Sequence, residues 1–212
     1  MTRGSPADRL LMDLVIATRN PGKIREIREA LNLPGLVLHS FEEFSEWPRV
    51  DEVGQTMQEN AVIKAEALRD YSNMHAIADD SGLEVNFLEG RPGVLSSRYA
   101  GPEEDPGRNI DRLLSELAPV PESWRSARFV CVIALALADD GLRITEGECL
   151  GTILPERKGT GGFGYDPVFR PAGYKSSIAE LSLQEKNSIS HRGKALREMR
   201  AVLEELISAA PG

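Results

Sequence analysis

The sequence predicts an α/β fold in which a mixed, twisted sheet is flanked by helices. Short apolar runs typical of buried strands intermix with segments whose apolar residues recur at helical spacing. One pair of long strands, residues 127–138 and 142–153, is joined by Asp139-Asp140-Gly141, a strong hairpin turn. Because a hairpin makes its two strands antiparallel, we expect the sheet to be mixed rather than purely parallel.

The remaining elements follow from capping residues and apolar periodicity. Asn20 is a good N-cap and Pro21 suits the first helical position, so a helix is expected to begin there. Ser182 and Glu185 have the spacing of a capping box for a short turn. In chain order, the predicted elements are a strand over residues 14–17, the helix after Asn20, a strand over 36–38, a helix over 56–71, a strand ending at 78, a strand over 83–87, a helix over 106–117, the hairpin strands and a helix over 190–207.

Length and composition indicate one globular domain. The chain has 212 residues, of which 41% are hydrophobic and 27% are charged. We assign residues 14–212 to this domain and residues 1–13 to a poorly ordered N-terminal extension. That extension has no apolar core like a signal peptide, and no apolar run approaches the ~20 residues of a membrane span. We therefore expect a cytoplasmic protein that does not bind a membrane.

The charge balance restricts the classes of partner. A net charge of -8 opposes binding to nucleic acid or to an anionic membrane surface. A small anionic substrate stays compatible with this charge if lysines and arginines gather locally. Cys131 and Cys149 lack metal-ligand spacing, so we expect free thiols in a reducing compartment.

Two adjacent acids, Asp79 and Asp80, follow the apolar run at residues 76–78 and precede an expected Ser81-Gly82 turn. Neighbouring carboxylates at a strand end repel each other and lose hydration, which favours a compensating cation. Side chains alternate along a strand, so the two acids are expected to face different ways. A solvated turn in which an Asp caps a backbone N–H is the alternative interpretation.

The loop from Thr18 to Lys23 joins a buried strand to a helix N-terminus. Backbone N–H groups and the helix dipole favour an anion there, and Asn20 and Lys23 add an amide and a positive charge. The loop is therefore either a phosphate site or an ordinary capped helix with a solvent-exposed lysine in its first turn.

The stretch Gly159-Thr160-Gly161-Gly162-Phe163-Gly164 formally matches the dinucleotide fingerprint G-x-G-x-x-G. We reject that match, because no strand runs directly into the loop and Tyr165-Asp166-Pro167 prevents a helix from following it. A flexible loop with two aromatic residues, Phe163 and Tyr165, remains. These rings either stack on a flat base or act as buried anchors.

Cationic residues are spread along the chain in positions that can converge. Lys186, His191 and Arg192 lie near the start of the last predicted helix, and Lys23, Lys64 and Arg98 lie in other elements. Together they would supply the local positive charge that a polyphosphate needs. Glu52, Asp79 and Asp80 would then be hard oxygen ligands for Mg²⁺ carried in by the phosphates.

Six motifs in a fixed order resemble the inosine triphosphatase family, the dITP/XTP pyrophosphatases that act on noncanonical purine nucleoside triphosphates. The resemblance covers residues 14–206 and has two small departures: Arg19 stands where the family often has a small residue, and Ser97 replaces a common Ala. The motifs are Thr18-x-Asn20-x-x-Lys23-x-x-Glu26, Glu59-Asn60-Ala61-x-x-Lys64-Ala65, Ala78-Asp79-Asp80-Ser81-Gly82-Leu83, Pro92-Gly93-x-x-Ser96-x-Arg98-Tyr99-x-Gly101, Gly161-Gly162-Phe163-Gly164-Tyr165-Asp166-Pro167 and Ser190-His191-Arg192-x-x-Ala195.

The resemblance implies two lobes with a nucleotide cleft between them, a homodimer, and Mg²⁺-dependent hydrolysis of dITP, ITP and XTP to the monophosphate and pyrophosphate, which cleanses the nucleotide pool. By position, Asp80 matches the catalytic carboxylate, and Glu52 with Asp80 match the metal site. The positions that match phosphate contacts are Thr18, Arg19, Asn20, Pro21, Gly22, Lys23, Lys64 and Ser81. Those that match the base and ribose pocket are Phe163, Gly164, Tyr165, Asp166, Lys186, His191 and Arg192.

Base choice is expected to depend on the purine 6-position. A 6-keto group accepts hydrogen bonds where adenine has an amino donor, so donors from His191 and Arg192 would favour the keto base. Two other classes are weighed against this enzyme: a sensor that holds nucleotides without cleaving them, and a redox enzyme with a dinucleotide site. The intact Glu52 and Asp80 speak against the first, and the missing strand and helix around the glycine loop speak against the second.

Overall fold

A computed structural model describes residues 11–44 and 46–209, and these residues contain one six-stranded sheet. The strands lie in the order β2-β1-β3-β4-β5-β6. Their bounds are β1 Met12–Ile16, β2 Leu36–His39, β3 His75–Val85, β4 Ser126–Ala136, β5 Leu142–Ile153 and β6 Phe169–Pro171. The helices are α1 Pro21–Ala30, α2 Met57–Ser72, α3 Pro106–Leu117, α4 Leu183–Ile189 and α5 His191–Ala209.

The sheet is mixed, which confirms the predicted fold class. β1 pairs in parallel with β2 and β3, whereas β3, β4, β5 and β6 pair antiparallel in sequence. The β4–β5 hairpin forms at the predicted turn, where Asp140 has a φ of 66°. The two lobes and the single-domain assignment stay predictions.

The prediction of a turn at Ser81-Gly82 is wrong, because β3 runs without interruption from His75 to Val85. The glycine serves close packing within the strand. A Cβ at Gly82 would lie 2.4 Å from the carbonyl oxygen of Gly93 and 2.3 Å from Cε of Met57. A glycine inside a strand commonly marks such an approach of another backbone. The predicted strand over residues 83–87 is therefore the end of β3.

The predicted caps and boundaries fit the structure with small shifts. Asn20 Oδ1 accepts hydrogen bonds from the N–H groups of Gly22 and Lys23, and Pro21 begins α1. Ser182 caps a seven-residue helix, α4, where a short turn was expected. β1 begins at Met12, so the last residues of the predicted extension belong to the sheet, while residues 1–10 lie outside the described residues.

Helices cover both faces of the sheet, and this determines where its side chains can reach. α1 and α5 pack on one face, against residues such as Ile77 and Ile133. α2 packs on the other face, against residues such as Ala78 and Val132. A third core lies beneath α3 at the far ends of β3 and β4. In the described part of the chain, no helix is both long and apolar enough to cross a membrane.

Candidate active site

A cavity of about 480 Å³ brings most of the predicted site residues together. Every residue that the resemblance assigns to the substrate or metal site lines it except Pro21 and Gly22 at the start of α1. Asp79, predicted from the sequence as a further Mg²⁺ ligand, and Arg98, predicted as a phosphate cation, do not line it. The predicted residues that line the cavity are Thr18, Arg19, Asn20, Lys23, Glu52, Lys64, Asp80, Ser81, Phe163, Gly164, Tyr165, Asp166, Lys186, His191 and Arg192.

The two neighbouring acids of β3 point to opposite faces of the sheet, as predicted from strand alternation. Asp79 contacts α1 and α5 through Lys23 and Arg192. Asp80 contacts α2 through Lys64. Both acids are buried, so each requires its own positive partner. The alternative of a solvated turn is thereby excluded.

Asp79 is held as a carboxylate by two cations. Its Oδ2 accepts hydrogen bonds from Arg192 Nε at 3.1 Å, Arg192 Nη2 at 2.9 Å and Ser81 Oγ at 2.9 Å, and lies 3.1 Å from Lys23 Nζ. Burial alone would raise the pKa of Asp79, but the guanidinium of Arg192 and then Lys23 hold it well below its usual range. Asp79 Oδ1 is buried and accepts no hydrogen bond from any residue that the structure describes.

Glu26 extends this ion-pair network inside the protein. Its two carboxylate oxygens lie 2.8 Å from Lys186 Nζ and 2.7 Å from Arg192 Nη1. Lys186 Nζ also lies 2.6 Å from Asp166 Oδ2. Although burial opposes ionisation, Arg192 and Lys186 lower the pKa of Glu26. Arg192 is the cation shared by Glu26 and Asp79, so its removal would take a positive partner from two buried carboxylates at once, which is strongly destabilising. Glu26 belongs to the first sequence motif but was not among the predicted site residues.

Asp80 forms a second, separate charge cluster with α2. Lys64 Nζ lies 3.0 Å from Asp80 Oδ1 and 2.7 Å from Glu52 Oε1, so one lysine bridges both predicted metal ligands. Asn60 Nδ2 approaches Asp80 Oδ2 at 3.5 Å from one turn earlier in α2. Burial raises the pKa of Asp80 despite the opposing effect of Lys64. For Glu52, burial also raises the pKa, but Lys64, Lys23 and Arg98 together lower it below its usual value.

The N-terminus of α1 forms one wall of the cavity. Asn20 already satisfies the first free backbone N–H groups of the helix, and Thr18 Oγ1 accepts from the N–H of Asn20 at 3.2 Å. Lys23 reaches back to Asp79, so the interpretation of a freely solvated lysine is wrong. A Cβ at Gly22 would lie 2.5 Å from the ring of Phe163, so this glycine gives the aromatic ring its space.

The glycine-rich loop presents one ring to the cavity and anchors the other. Phe163 is half-buried, with Lys186 Nζ 4.3 Å and Arg192 Cζ 5.4 Å from its ring centroid. Tyr165 is buried and donates a hydrogen bond from its hydroxyl to the carbonyl of Ser96 at 2.9 Å. Asp166 Oδ2 fixes the loop by accepting from the N–H of Phe163 at 2.8 Å. Tyr165 is therefore a buried anchor, whereas stacking of Phe163 on a base stays a prediction.

His191 is a buried, neutral ring rather than a surface residue. It stacks on Phe129 with ring centroids 4.7 Å apart and an interplanar angle of 14°. Burial, with Arg192 and Lys186 nearby, holds the pKa of His191 well below its ordinary value. Its Nδ1 is buried and has no hydrogen-bond partner among the described residues.

Residues 46–53, which we call the strap, form a part of the cavity wall in which sequence reasoning identified only Glu52. The strap has neither helix nor strand, and Trp47 packs edge-on against Phe44 with ring centroids 5.6 Å apart. Arg19 Nη2 donates to the carbonyl of Trp47 at 3.1 Å, across 28 residues of sequence. No periodicity or motif signalled this segment, because it is held by side chains from elsewhere.

The oxygen donors fit Mg²⁺ only with help from a ligand. Among the described residues, no group of three or more His, Cys, Asp or Glu side chains is clustered to hold a metal. Glu52 and Asp80 supply two carboxylates that share one lysine, and Mg²⁺ commonly uses one or two carboxylates together with phosphate oxygens and water. The donor set therefore suits a hard cation that arrives with a polyphosphate.

Comparison with known proteins identifies the family. The sequence profile of the Ham1 family matches residues 14–202. The chain belongs to the Ham1 family. A dITP/XTP pyrophosphatase of Desulforamulus reducens is 48% identical over 195 residues, covering 92% of this chain and 97% of the relative. One of Bacillus cereus is 45% identical over 197 residues, covering 92% of this chain and 96% of the relative.

Solved structures of the Ham1 family have the same fold. The Coxiella burnetii HAM1 protein matches with a TM-score of 0.83 and 41% identity, covering 92% of this chain and all of that one. The Staphylococcus aureus Ham1 protein matches with a TM-score of 0.81 and 38% identity, covering 92% of this chain and 99% of that one. The resemblance inferred from six motifs is thereby confirmed.

Proposed function

We propose that this protein hydrolyses noncanonical purine nucleoside triphosphates (dITP, ITP and XTP) to the monophosphate and pyrophosphate, and so cleanses the nucleotide pool. One observation carries the proposal. A single cavity combines a lysine-bridged carboxylate pair, a helix N-terminus and an aromatic ring backed by two cations. The first two suit phosphates and the third suits a flat base. Relatives nearly half identical over most of the chain are named dITP/XTP pyrophosphatases.

The triphosphate is proposed to lie between α1 and α2. The N-terminus of α1, with Lys23, and the ammonium of Lys64 would offset its negative charge. Phosphoryl transfer to water depends mainly on positioning and charge neutralisation. Asp80 is proposed as the catalytic carboxylate that accepts the proton of the attacking water. Thr18, Arg19, Asn20 and Ser81 complete the phosphate contacts in this proposal.

We propose Mg²⁺ as the cofactor, held by Glu52 and Asp80. Bound there, the ion would neutralise phosphate charge and polarise the phosphoryl group. Both carboxylates lie within hydrogen-bond distance of Lys64 Nζ. When Mg²⁺ binds, the two carboxylates would contact Lys64 and the ion at the same time. The neighbouring acid, Asp79, is paired with Arg192 and Lys23 and does not line the cavity, so we do not assign it to the metal.

The base is proposed to stack on Phe163 and to be read by donors at the start of α5. Arg192 uses Nε, Nη1 and Nη2 in bonds to Asp79, Glu26 and Ser81, and a guanidinium has one further N–H on Nη1. That donor and the His191 ring would favour a 6-keto purine, because adenine places an amino donor at the same position. Gly164, Tyr165, Asp166 and Lys186 would shape the base and ribose pocket.

The test is a product analysis. The protein is incubated with ITP and Mg²⁺, and the phosphate products are separated. We expect pyrophosphate and IMP, whereas release of orthophosphate, or no turnover, would refute the proposed reaction. Asp80→Asn should bind IMP like the parent protein and lose ~10²–10⁴-fold in kcat, the range of general-base assistance. A variant that keeps more than about a tenth of the parent rate would remove Asp80 from the catalytic role.

We further propose, from the family resemblance, that the enzyme is a cytoplasmic homodimer. Light scattering coupled to gel filtration measures the mass in solution directly. A mass near twice 23.3 kDa is expected, and a monomer at all concentrations would contradict the proposal.

A further inference from the structure

A short 3₁₀ segment, Gly93–Arg98, connects the base end of the cavity to its carboxylate end. At its centre, the carbonyl of Ser96 accepts the hydroxyl of Tyr165 at 2.9 Å. Both residues are buried, with Tyr165 5% and Ser96 6% exposed. Since a buried hydroxyl and carbonyl both need partners, this bond fixes the glycine-rich loop relative to the 3₁₀ segment.

The same segment is fastened to β3 just beyond the catalytic strand residues. Ser96 Oγ accepts from the N–H of Leu83 at 2.8 Å and donates to the carbonyl of Gly93 at 2.6 Å. The missing side chain of Gly82 allows Gly93 to approach β3 closely. A displacement of Ser96 is therefore transmitted along the rest of the segment rather than absorbed by slack packing.

The segment ends at Arg98, which lies against Glu52. Arg98 Nη1 is 3.5 Å from Glu52 Oε2, while Lys64 Nζ holds the other oxygen, Oε1, at 2.7 Å. Glu52 belongs to the strap, whose one backbone–backbone hydrogen bond among the described residues, from Val53 N to Asp51 O, is local. Its carboxylate is consequently placed by these two cations and not by a strand or helix.

From this chain of contacts we infer that Tyr165 is a positioning residue which, through Ser96 and Arg98, sets the location of Glu52. The inference rests on the proposed function, because it assigns Glu52 to the phosphate end and Tyr165 to the base end. It follows that a base which seats the glycine-rich loop well also aligns the carboxylate that acts on the phosphates. Base selection would then affect turnover as well as binding.

The substitution that isolates this contact is Tyr165→Phe, which keeps the ring and removes only the hydroxyl. The loss of a net hydrogen bond of neutral groups corresponds to roughly a 2- to 12-fold effect. We expect kcat for ITP to fall within that range, while KM and the Kd of IMP stay within about twofold. Thr145→Val is the matched control, because Thr145 Oγ1 donates to the carbonyl of Ala195 at 3.0 Å, buried and outside the cavity lining.

A double-mutant cycle tests whether Tyr165 acts through Arg98. In an Arg98→Ala background, the additional loss caused by Tyr165→Phe should disappear. Additive losses would overturn the inference, and so would a rise in KM and in the Kd of IMP without a change in kcat. Thr145→Val is expected to change none of these values in either background.

Hydrogen–deuterium exchange in the metal-free, nucleotide-free protein gives a readout that does not depend on activity. The peptide over residues 93–101 contains the amides of Leu95 and Gly101, which donate to Pro92 and Arg98 carbonyls. Tyr165→Phe should speed their exchange by roughly 2- to 12-fold, and Thr145→Val should not. Unchanged exchange would overturn the inference even if ITP is cleaved. Faster exchange in a protein that does not cleave ITP would refute the proposed function and leave the mechanical link standing.

Discussion

At the scale of single residues, two adjacent aspartates have different roles because each has different cations. Asp79 forms ion pairs with Arg192 and Lys23 in the protein interior, where Arg192 is only 2% exposed. Asp80 shares Lys64 with Glu52 at the cavity wall. Asp79 is therefore occupied by ion pairs inside the protein, whereas Asp80 lines the cavity.

Replacing Lys23 should weaken binding of the triphosphate more than binding of the monophosphate. A hydrogen bond to a charged group contributes roughly 1.5–3 kcal/mol, so Lys23→Ala is expected to raise the Kd of ITP on the order of tenfold or more. The fold is expected to survive, because Arg192 still neutralises Asp79. Calorimetric titration of ITP and IMP into the Asp80→Asn background measures both constants without turnover.

Arg25→Ala is the matched control for Lys23→Ala, because it removes one positive charge from the same helix on its exposed side. It should leave both constants within about twofold, since exposed charges contribute ~0–1 kcal/mol. If Lys23→Ala weakened ITP and IMP equally, Lys23 would have to act somewhere other than the β- and γ-phosphates.

Arg192 tests the proposed reading of the base. Arg192→Lys keeps the charge that Asp79 and Glu26 need but removes the planar fork, so the protein should fold while losing a donor. We expect the ratio of kcat/KM for ITP to that for ATP to fall by roughly tenfold or more, which corresponds to the loss of one hydrogen bond to a charged group. Arg200→Lys, the same change farther along α5, should leave this ratio unchanged. A constant ratio in Arg192→Lys would restrict Arg192 to holding the ion pairs.

At the scale of secondary structure elements, the edge strand β2 is tied to its neighbours by one titratable side chain. His39 Nε2 lies 2.7 Å from Asp13 Oδ1 on β1, and its Nδ1 lies 2.7 Å from Glu43 Oε2 in the following 3₁₀ turn. The hydrogen bond to Asp13 and the contacts with Glu43 raise the pKa of His39 although partial burial opposes this. Protonation of His39 therefore stabilises the packing of β2.

The sign of the resulting pH effect follows from that shift. Because the folded pKa of His39 lies above the unfolded value, its stabilisation is complete below about pH 6.5 and is lost as the pH rises through the folded pKa. In urea titrations, His39→Gln should reduce the free energy of unfolding by up to about 1 kcal/mol more at pH 6 than at pH 8.5.

His75→Gln provides a control with the opposite sign for the His39 experiment. Burial lowers the pKa of His75, so the parent protein loses stability as the pH falls through about 6.5. His75→Gln should remove this loss. A pH profile of His39→Gln that runs parallel to that of the parent protein would contradict the role of the Asp13 and Glu43 contacts.

Much of the element structure is predictable from the sequence, and the exceptions have physical reasons. The cap at Asn20 and the β4–β5 hairpin are decided locally, by side chains and turn residues that lie next to each other in the chain. The continuity of β3 through Ser81-Gly82 is not, because the close approach of Gly93 explains that glycine and comes from a distant segment. Apart from Glu52, the strap was missed for the same reason, since Arg19 holds it by a hydrogen bond across 28 residues of sequence.

At the scale of the whole molecule, the cavity unites both ends of the chain. Its lining includes residues 17–20 and Lys23 near one end of the chain and Lys186, His191 and Arg192 near the other, with residues 80–83 of the central strand β3 between them. An overall charge of -8 coexists with a local cluster of lysine and arginine side chains at this site. The six ordered motifs predicted that these residues converge. Which lysine or arginine pairs with which buried acid is visible only in the structure.

A ligand that joins elements from both ends should stabilise the entire fold. For the Asp80→Asn variant with Mg²⁺ and ITP at about 100 times the Kd, linkage predicts ~2.7 kcal/mol, or a rise in Tm of roughly 5–10 °C for a chain of this size. Differential scanning calorimetry measures the shift. ATP at the same concentration should give a smaller rise, and an equal rise with ATP and ITP would argue against selection of the 6-keto base.

The alternation of Asp79 and Asp80 along β3 makes the site sensitive to chain length in a way that substitutions do not reveal. Deleting or inserting one residue upstream within β3 would move every later side chain to the other face of the sheet. Asp80 would then be carried toward Arg192, and Asp79 or Ser81 toward Lys64. Individual residues of this strand can be substituted one at a time, but its pairing register with β4 can shift only by whole residues. Insertions and deletions in this protein should therefore be confined to the loops outside residues 75–85.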